Sequence, residues 1–304
     1  MSLIINHNLM AENAAINLDS AYGSLATSTR RLSSGLRITT AADDAAGLAV
    51  SELMKSEISS LNQGVRNAND AVSLLQTADG ALSVIDEKLL RMKELATQAA
   101  TGTYTSDQRL IIDSEYQAMA SEITRIANST DFNGIFLLNG NLSSSTYNGS
   151  GLNSVGALKI HFGPGNSSAS DYYYISIGLS TASAFGLGLG ANNYTTSGVF
   201  KGGASISTQD LAEDALSQIN AAIVSKDKIR AAIGATQNRL QNTVQVLQIQ
   251  SENLQSAQSQ IADVDVAAEM TNFVRAQILT QSATAMLSQA NSLPKMALQL
   301  IQGS

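Results

Sequence analysis

Apolar residues recur at seven-residue intervals through the last third of the chain, at Ile219, Ile233, Leu240, Leu247, Leu254 and Ile261, with Lys226 the single break. Residues 207–261 hold no proline and one glycine, Gly234, so the repeat predicts an uninterrupted helix of about six heptads. A second seam follows in another register, at Ala276, Leu279, Ala283, Met286, Ala290, Leu293, Ala297 and Leu300. Asp263, Asp265 and Glu269 occupy the transition. Spacing by threes and fours returns near the N-terminus, at Ala11, Ala14, Leu18, Ala21, Leu25, Ser28 and Leu32. Both end stripes mix small residues with leucines, which lets two helices approach closely and interdigitate. The two chain ends are therefore expected to pair as helices. Two narrow stripes bury little in an isolated pair, so full order is expected only when other copies pack around them.

From about Asp44 to Ala100 a long helix carries its own stripe, Leu61, Ala68, Leu75, Leu82, Leu89 and Ala96, supported by Ile58, Val65 and Val72. Residues 101–106 read as a loop, and Ser106 or Asp107 is placed to cap a third helix that runs to about Asn128. These two helices and the first C-terminal seam predict a multi-helix bundle. Between Asp131 and Ser205 the pattern changes. Two Asn-Gly pairs flank a short apolar run within Phe132–Gly140, a hairpin signature. Leu158–Phe162 and Tyr172–Leu179 alternate like strands, and Ser, Gly and Asn dominate the rest. The expected fold is mainly α: a long antiparallel helical bundle or coiled coil of N- and C-terminal segments, with a small β-rich central subdomain. Its expected divisions are 1–43 with 264–304 as a terminal coiled coil, 44–140 with 206–263 as the bundle, and 141–205 as a short β and loop part.

Charge and composition narrow the function. Charged residues are only 14% of the chain, so Ser, Thr, Asn and Gln must cover much of the surface. Such a surface suits packing against copies of itself, because few charges need desolvating. A net charge of −7 argues against nucleic acid as a partner. Without cysteine there is neither a disulfide frame nor a thiolate metal site. The first residues show no basic region followed by a long apolar core, so no cleavable secretory signal is expected. Gln277, Gln281, Ser282, Ser288, Gln289 and Asn291 make a membrane span of the uncharged run from Ala276 to Pro294 untenable.

Candidate chemistry is sparse. Arg30, Arg31 and Arg37 flank an expected break at Ser33-Ser34-Gly35 without the loop of a phosphate site, so they read as linker charges, solvated or between subunits. Asp43 and Asp44 read as helix caps. Asp263, Asp265 and Glu269 read as solvated or interface charges rather than metal ligands. Tyr172, Tyr173 and Tyr174 could form a sugar platform, but alternating core and surface strand positions are favoured. His7 and His161 lie in unrelated regions, and no HExxH motif, nucleophile elbow or P-loop is present. No enzyme and no cofactor are expected.

Ser33-Ser-Gly-Leu-Arg-Ile with Ala42-Asp-Asp-Ala-Ala-Gly-Leu-Ala resembles the N-terminal signature of bacterial flagellin, the flagellar filament subunit. Ile261-Ala-Asp-Val-Asp-Val-Ala-Ala-Glu-Met, Gln281-Ser-Ala-Thr-Ala-Met-Leu-Ser-Gln-Ala-Asn and Leu293-Pro resemble its C-terminal signature. The resemblance implies a structural polymer whose terminal helices form the inner tube of a filament, with polymerisation seams at Leu18, Leu25, Leu32, Leu279, Met286, Leu293 and Leu300. It implies unfolded type III export, a chaperone on the C-terminal segment, and cap and hook-junction proteins as partners. It further implies recognition by Toll-like receptor 5 of animal hosts, through Arg91 and Leu95 in Leu89-Leu-Arg-Met-Lys-Glu-Leu-Ala and through Glu115, with Leu90 and Met92 replacing the usual glutamine and valine. The alternative is a hook–filament junction protein, which shares the terminal helices. Junction proteins commonly show proline after the two aspartates, where this chain has Ala45-Ala46-Gly47.

Overall fold

The computed structural model describes residues 8–143, 156–168, 170–188 and 203–302, with side chains omitted at 293, 295 and 297–302. The Ser/Gly-rich stretches 144–150 and 189–197 and His7 lie outside the described residues. In order, the elements are α1 (Leu9–Ser34), α2 (Ala45–Ala100), α3 (Ser106–Ser129), β1 (Asp131–Phe132), β2 (Ile135–Phe136), β3 (Leu158–His161), β4 (Tyr172–Ile175), α4 (Gln209–Ala262) and α5 (Val266–Gln302). The chain forms two compact units, Met1–Ile58 with Glu252–Ser304, and Ser59–Ser251. They part inside α2 and α4, whereas the breaks between helices fall near residues 35–44 and 263–265.

The Ser59–Ser251 unit is built on large apolar side chains. Leu61, Ala68, Leu75, Leu82, Leu89 and Ala96 of α2 are all fully buried, as the seven-residue repeat requires. Ile219, Ile233 and Leu240 of α4 and Tyr116 and Ile123 of α3 join them in the core. Each buried leucine contributes roughly 1.5–3 kcal/mol, which is how helices this long gain stability from packing rather than propensity. Lys226, the break in the α4 repeat, is also buried. Its Nζ donates to Asp86 Oδ1 and to Asp227 Oδ1 at 2.8 Å, and Arg230 donates to Asp79 Oδ1 at 2.8 Å. Burial pulls the Lys226 pKa down, but the hydrogen bonds to Asp227 and Asp86 outweigh it and the net shift is upward. The ammonium therefore stays charged within the seam.

Helix α3 starts one residue earlier than expected. Thr105 is the cap, accepting from Gln108 N, while the Gln108 side chain accepts from Thr105 N. Downstream, α3 clamps the segment entering α4. Tyr116 Oη donates to Gly203 O at 2.9 Å, Asp113 Oδ1 accepts from Ile206 N at 2.7 Å, and Gln117 Nε2 donates to Ala204 O at 2.6 Å. Burial, and secondarily the Asp113 charge, push the Tyr116 phenol well above its ordinary value, so it serves as a donor throughout the usual pH range.

The β part is smaller than its alternation suggested. β1 and β2 form a two-residue hairpin across Asn133-Gly134, both at positive φ. The second Asn-Gly pair, Asn139-Gly140, follows the buried Leu137 and Leu138 and turns no hairpin among the described residues. β3 and β4 pair antiparallel with Ile160 opposite Tyr173. Tyr173 packs inward under Arg239, whose guanidinium lies 3.5 Å from the ring centroid. Tyr172 faces outward beneath Lys159, at 3.7 Å. The three tyrosines thus alternate between faces and form no continuous platform.

The β part sits on α2 through one close approach. Asn67 Nδ2 donates to His161 O at 2.8 Å, and a Cβ on Gly64 would fall 1.9 Å from Phe162 O. Backbone cannot yield there as a flexible side chain could. Gly64→Ala should therefore cost about 1–3 kcal/mol, as overpacking does, beyond any helix-propensity gain. Chemical denaturation monitored by tyrosine fluorescence would measure it.

Candidate functional site

The Met1–Ile58 with Glu252–Ser304 unit is held by the antiparallel pairing of α1 and α5. Asn8 caps α1, accepting from Ala11 N at 3.1 Å, and donates from Nδ2 to Ala290 O at 2.9 Å. The α1 stripe turns inward as its spacing predicted: Ala21 and Ser28 are buried, and Leu18, Leu25 and Leu32 half-buried. On α5 the inward stripe is Phe273, Ala276, Thr280, Ala283, Leu287 and Ala290. This corrects the expected seam. Leu279 and Met286 are 54% and 62% exposed and stand one residue to the side. The alanines at 276, 283 and 290 belong to either register, and the larger intervening side chains misdirected the choice between them. Thr280 can be buried because its hydroxyl donates back to Ala276 O at 2.8 Å. The side chains of Leu293 and Leu300 lie outside the described residues.

Where the helices break, two chain segments are stitched together. Gly35, at φ +72, ends α1 in a left-handed conformation. Leu36 then bridges to Asp263, Arg37 N donates to Ala262 O at 2.7 Å, and Val264 N donates to Gly35 O at 3.0 Å. Arg37 Nη2 donates to Ile261 O at 2.6 Å, placing a cation on the last turn of α4. The three arginines are therefore not free linker charges: Arg30 meets Asp43 at 3.7 Å and Arg31 meets Glu269 at 3.8 Å. Glu269, expected as a solvated or interface charge, is buried beside Arg31. Asp44 caps α2 by accepting from Gly47 N at 2.8 Å, and Asp265 caps α5 by accepting from Ala267 N at 2.9 Å. Among the described residues, no cluster of histidine and acidic side chains could hold a metal ion.

Large apolar side chains are exposed on this unit. Val266, Met270, Val274 and Ile278, one helical turn apart, are all exposed on α5, as are Leu9, Met10, Ile16 and Tyr22 on α1. Leu279 and Met286 wall a groove of about 1080 Å³ floored by small residues such as Ala14, Ala21, Ser28 and Ala283.

A separate polar cluster lies on the Ser59–Ser251 unit. Arg91 donates from Nη2 to Glu115 Oε1 at 2.7 Å and from Nη1 to Glu94 Oε2 at 3.0 Å. Glu115, then Glu94, raise the Arg91 pKa further. The arginine and Glu115 are about half exposed, at 48% and 44%. Leu95 does not share that surface: at 2% exposure it belongs to the core, and Met92 is fully buried. Leu90 is the exposed leucine of this stretch. A spacing of four put Arg91 and Leu95 one turn apart, but Leu95 lies on the core side of the stripe.

Residues 5–143 match the bacterial flagellin N-terminal helical region, and residues 216–301 match the bacterial flagellin C-terminal helical region. The chain belongs to the bacterial flagellin family. It is 38% identical over 301 residues to the flagellar filament 33 kDa core protein of Treponema phagedenis, covering 99% of this chain and 100% of that protein. A flagellin of Halalkalibacterium halodurans is 37% identical over 300 residues, with the same coverage. The crystal structure of Bacillus cereus flagellin is similar over 60% of this chain and 88% of that one, at 27% identity and a TM-score of 0.45. Flagellins are structural proteins of the flagellar filament, and the helical ends with a small β part fit the family. No described helix is long and apolar enough to cross a membrane.

Within this flagellin-family fold the stitched junction has a defined response to acid. Asp43 Oδ2 accepts from the Thr39 hydroxyl at 2.9 Å, from the Thr39 and Thr40 amides at 3.1 and 3.0 Å, and from the Thr40 hydroxyl at 3.1 Å. These bonds, the Thr39 hydroxyl foremost, push its carboxyl from 3.8 down to about 2. The folded form is thus favoured by the ionised carboxylate, a contribution fully present above pH 3.8 and lost as pH falls toward 2. The Thr39 and Thr40 amide resonances should titrate with a midpoint near the lower value, and Asp43→Asn should abolish that titration.

Proposed function

We propose that this chain self-assembles through its terminal helices into the filament of a bacterial flagellum used for motility. The observation that carries this reading is the apolar surface of the α1–α5 unit. The floor of its groove is built of alanines and serines, worth only about 0.8 kcal/mol per buried methyl, while Val266, Met270, Val274, Ile278, Leu279 and Met286 point outward. Neighbouring copies packed against Val266, Met270, Val274 and Ile278 would supply the burial that the pair lacks. The polymerisation role given to Leu18, Leu25, Leu32, Leu279, Met286, Leu293 and Leu300 belongs to this reading. Exposed Leu279 and Met286 act between copies; Leu18, Leu25 and Leu32 act within the pair.

In this reading the protein is not an enzyme and uses no cofactor. Export is through the flagellar type III apparatus, with a chaperone on the C-terminal segment and cap and hook-junction proteins as assembly partners. Nearly full-length similarity to flagellins and filament core proteins favours the filament over the hook–filament junction. Removal of residues 289–304 should abolish seeded polymerisation while leaving the thermal transition of the Ser59–Ser251 unit in place. Electron microscopy of seeded mixtures reads the first, and circular dichroism the second. Normal filaments from the truncated chain would refute the reading.

A second reading, recognition by Toll-like receptor 5, is supported by the half-exposed Arg91–Glu115 pair beside exposed Leu90. Here Arg91 and Glu115 are contact residues, while Leu95 supports them from the core. Arg91→Ala should weaken receptor signalling by about tenfold or more, as loss of an interface arginine does, with no shift in thermal midpoint. Leu95→Ala should instead cost roughly 2–5 kcal/mol of stability. Reporter-cell dose curves and thermal scans on the same preparations separate contact from support.

A further inference from the structure

The terminal helix pair carries few charges, and their placement along it is uneven. From Ala276 to Pro294, α5 has none, and α1 has only Glu12, Asp19, Arg30 and Arg31. Arg30 and Arg31 have partners within the chain. Glu12, Asp19 and Arg275 are exposed, and none of them has an ion-pair partner among the described residues. Arg31 is incompletely satisfied as well: its Nε is buried and donates to no acceptor, and Glu269 occupies only one edge of its guanidinium at 3.8 Å. Arg31 and Arg275 both line the groove between α1 and α5.

The register of the pair fixes their separation. Asn8 bonds to Ala290, and Arg31 meets Glu269, so Arg275 lies level with about Ser24 of α1. Arg275 and Arg31 are then separated along the axis by roughly 10 Å, seven residues at 1.5 Å each. Glu12 and Asp19 have the same seven-residue spacing. Exposed Leu9 and Ile16 share their side of the helix, making a stripe Leu9–Glu12–Ile16–Asp19.

We propose that this stripe of a second copy docks in the groove, parallel to α1 and shifted along it by about 18 Å, with Glu12 at Arg275 and Asp19 at Arg31. One shift of twelve residues brings both carboxylates level with both guanidinium groups. It also places Leu9 beside the groove-wall residue Leu279 and Ile16 over the small side chain of Ser28. The proposal rests on the filament reading, which selects the orientation. A parallel, shifted contact is heterologous and repeats without closing, as a fibre requires. The antiparallel arrangement would match the charge spacing too, but it is self-complementary and would stop at a dimer.

Charge reversal tests the pairing in the full-length chain. Arg275→Glu, and separately Glu12→Lys, should each slow seeded elongation by about tenfold or more, through like charges at a docked interface. Both substitutions in one chain should recover most of the rate, because opposite charges then face each other again at that pair while Asp19 still meets Arg31. Circular dichroism of the monomers checks that each variant folds. Unimpeded elongation by the reversed variants, or no recovery in the double variant, would overturn the pairing while leaving the filament reading intact. Failure of the unmodified chain to elongate on seeds would remove the filament reading and the pairing with it.

Discussion

Burial of a continuous apolar stripe along helices of more than fifty residues is the constraint on which the rest depends. α2 and α4 are 56 and 54 residues long, well beyond the few turns that a compact core ordinarily covers. Their heptad stripes are the source of stability, and within the Ser59–Ser251 unit those stripes meet leucine with leucine and isoleucine. Tyr116, Leu137 and Leu138 complete this core, which is built on side chains of one chain.

The α1–α5 unit solves the same problem differently. Its stripes interleave Leu18, Leu25, Leu32, Phe273 and Leu287 with alanine, serine and threonine, and those small residues allow close approach but remove little apolar area from water. Val266, Met270, Val274, Ile278, Leu279 and Met286 stand at the flanks, where a single copy leaves them exposed. A subunit that must be stable alone would place them inside. The distribution of side-chain size along the chain thus differs between the two units.

Polar groups set registers that apolar seams leave loose. A seven-residue repeat tolerates a seven-residue slip with little change in burial, whereas Lys226 between Asp86 and Asp227, and Arg230 on Asp79, match in one alignment. At the helix breaks the stitching of residues 35–37 to 261–264 aligns the start of α5 with the end of α1. Asp43, Asp44 and Asp265 accept from backbone amides at these turns, which the helix starts would otherwise leave without partners.

The sequence alone determined the helices, their order and the pairing of the chain ends. Periodicity fixes which face of a long helix is apolar, and glycine and aspartate mark where the helices stop. It also determined the family, through the residues around the two breaks. Tertiary structure decided what periodicity leaves degenerate. On α5, Ala276, Ala283 and Ala290 fit two registers, and only packing against α1 selected Thr280 and Leu287 over Leu279 and Met286. Arg91 and Leu95 are neighbours on a helical net, yet one lies at the surface and the other in the core, because a turn of helix spans the edge of the stripe. The partners of Arg31, Arg37 and Glu269 were likewise hidden, since they join residues more than two hundred positions apart. A linear pattern specifies a face; it takes the opposing surface to say which residues on that face are covered.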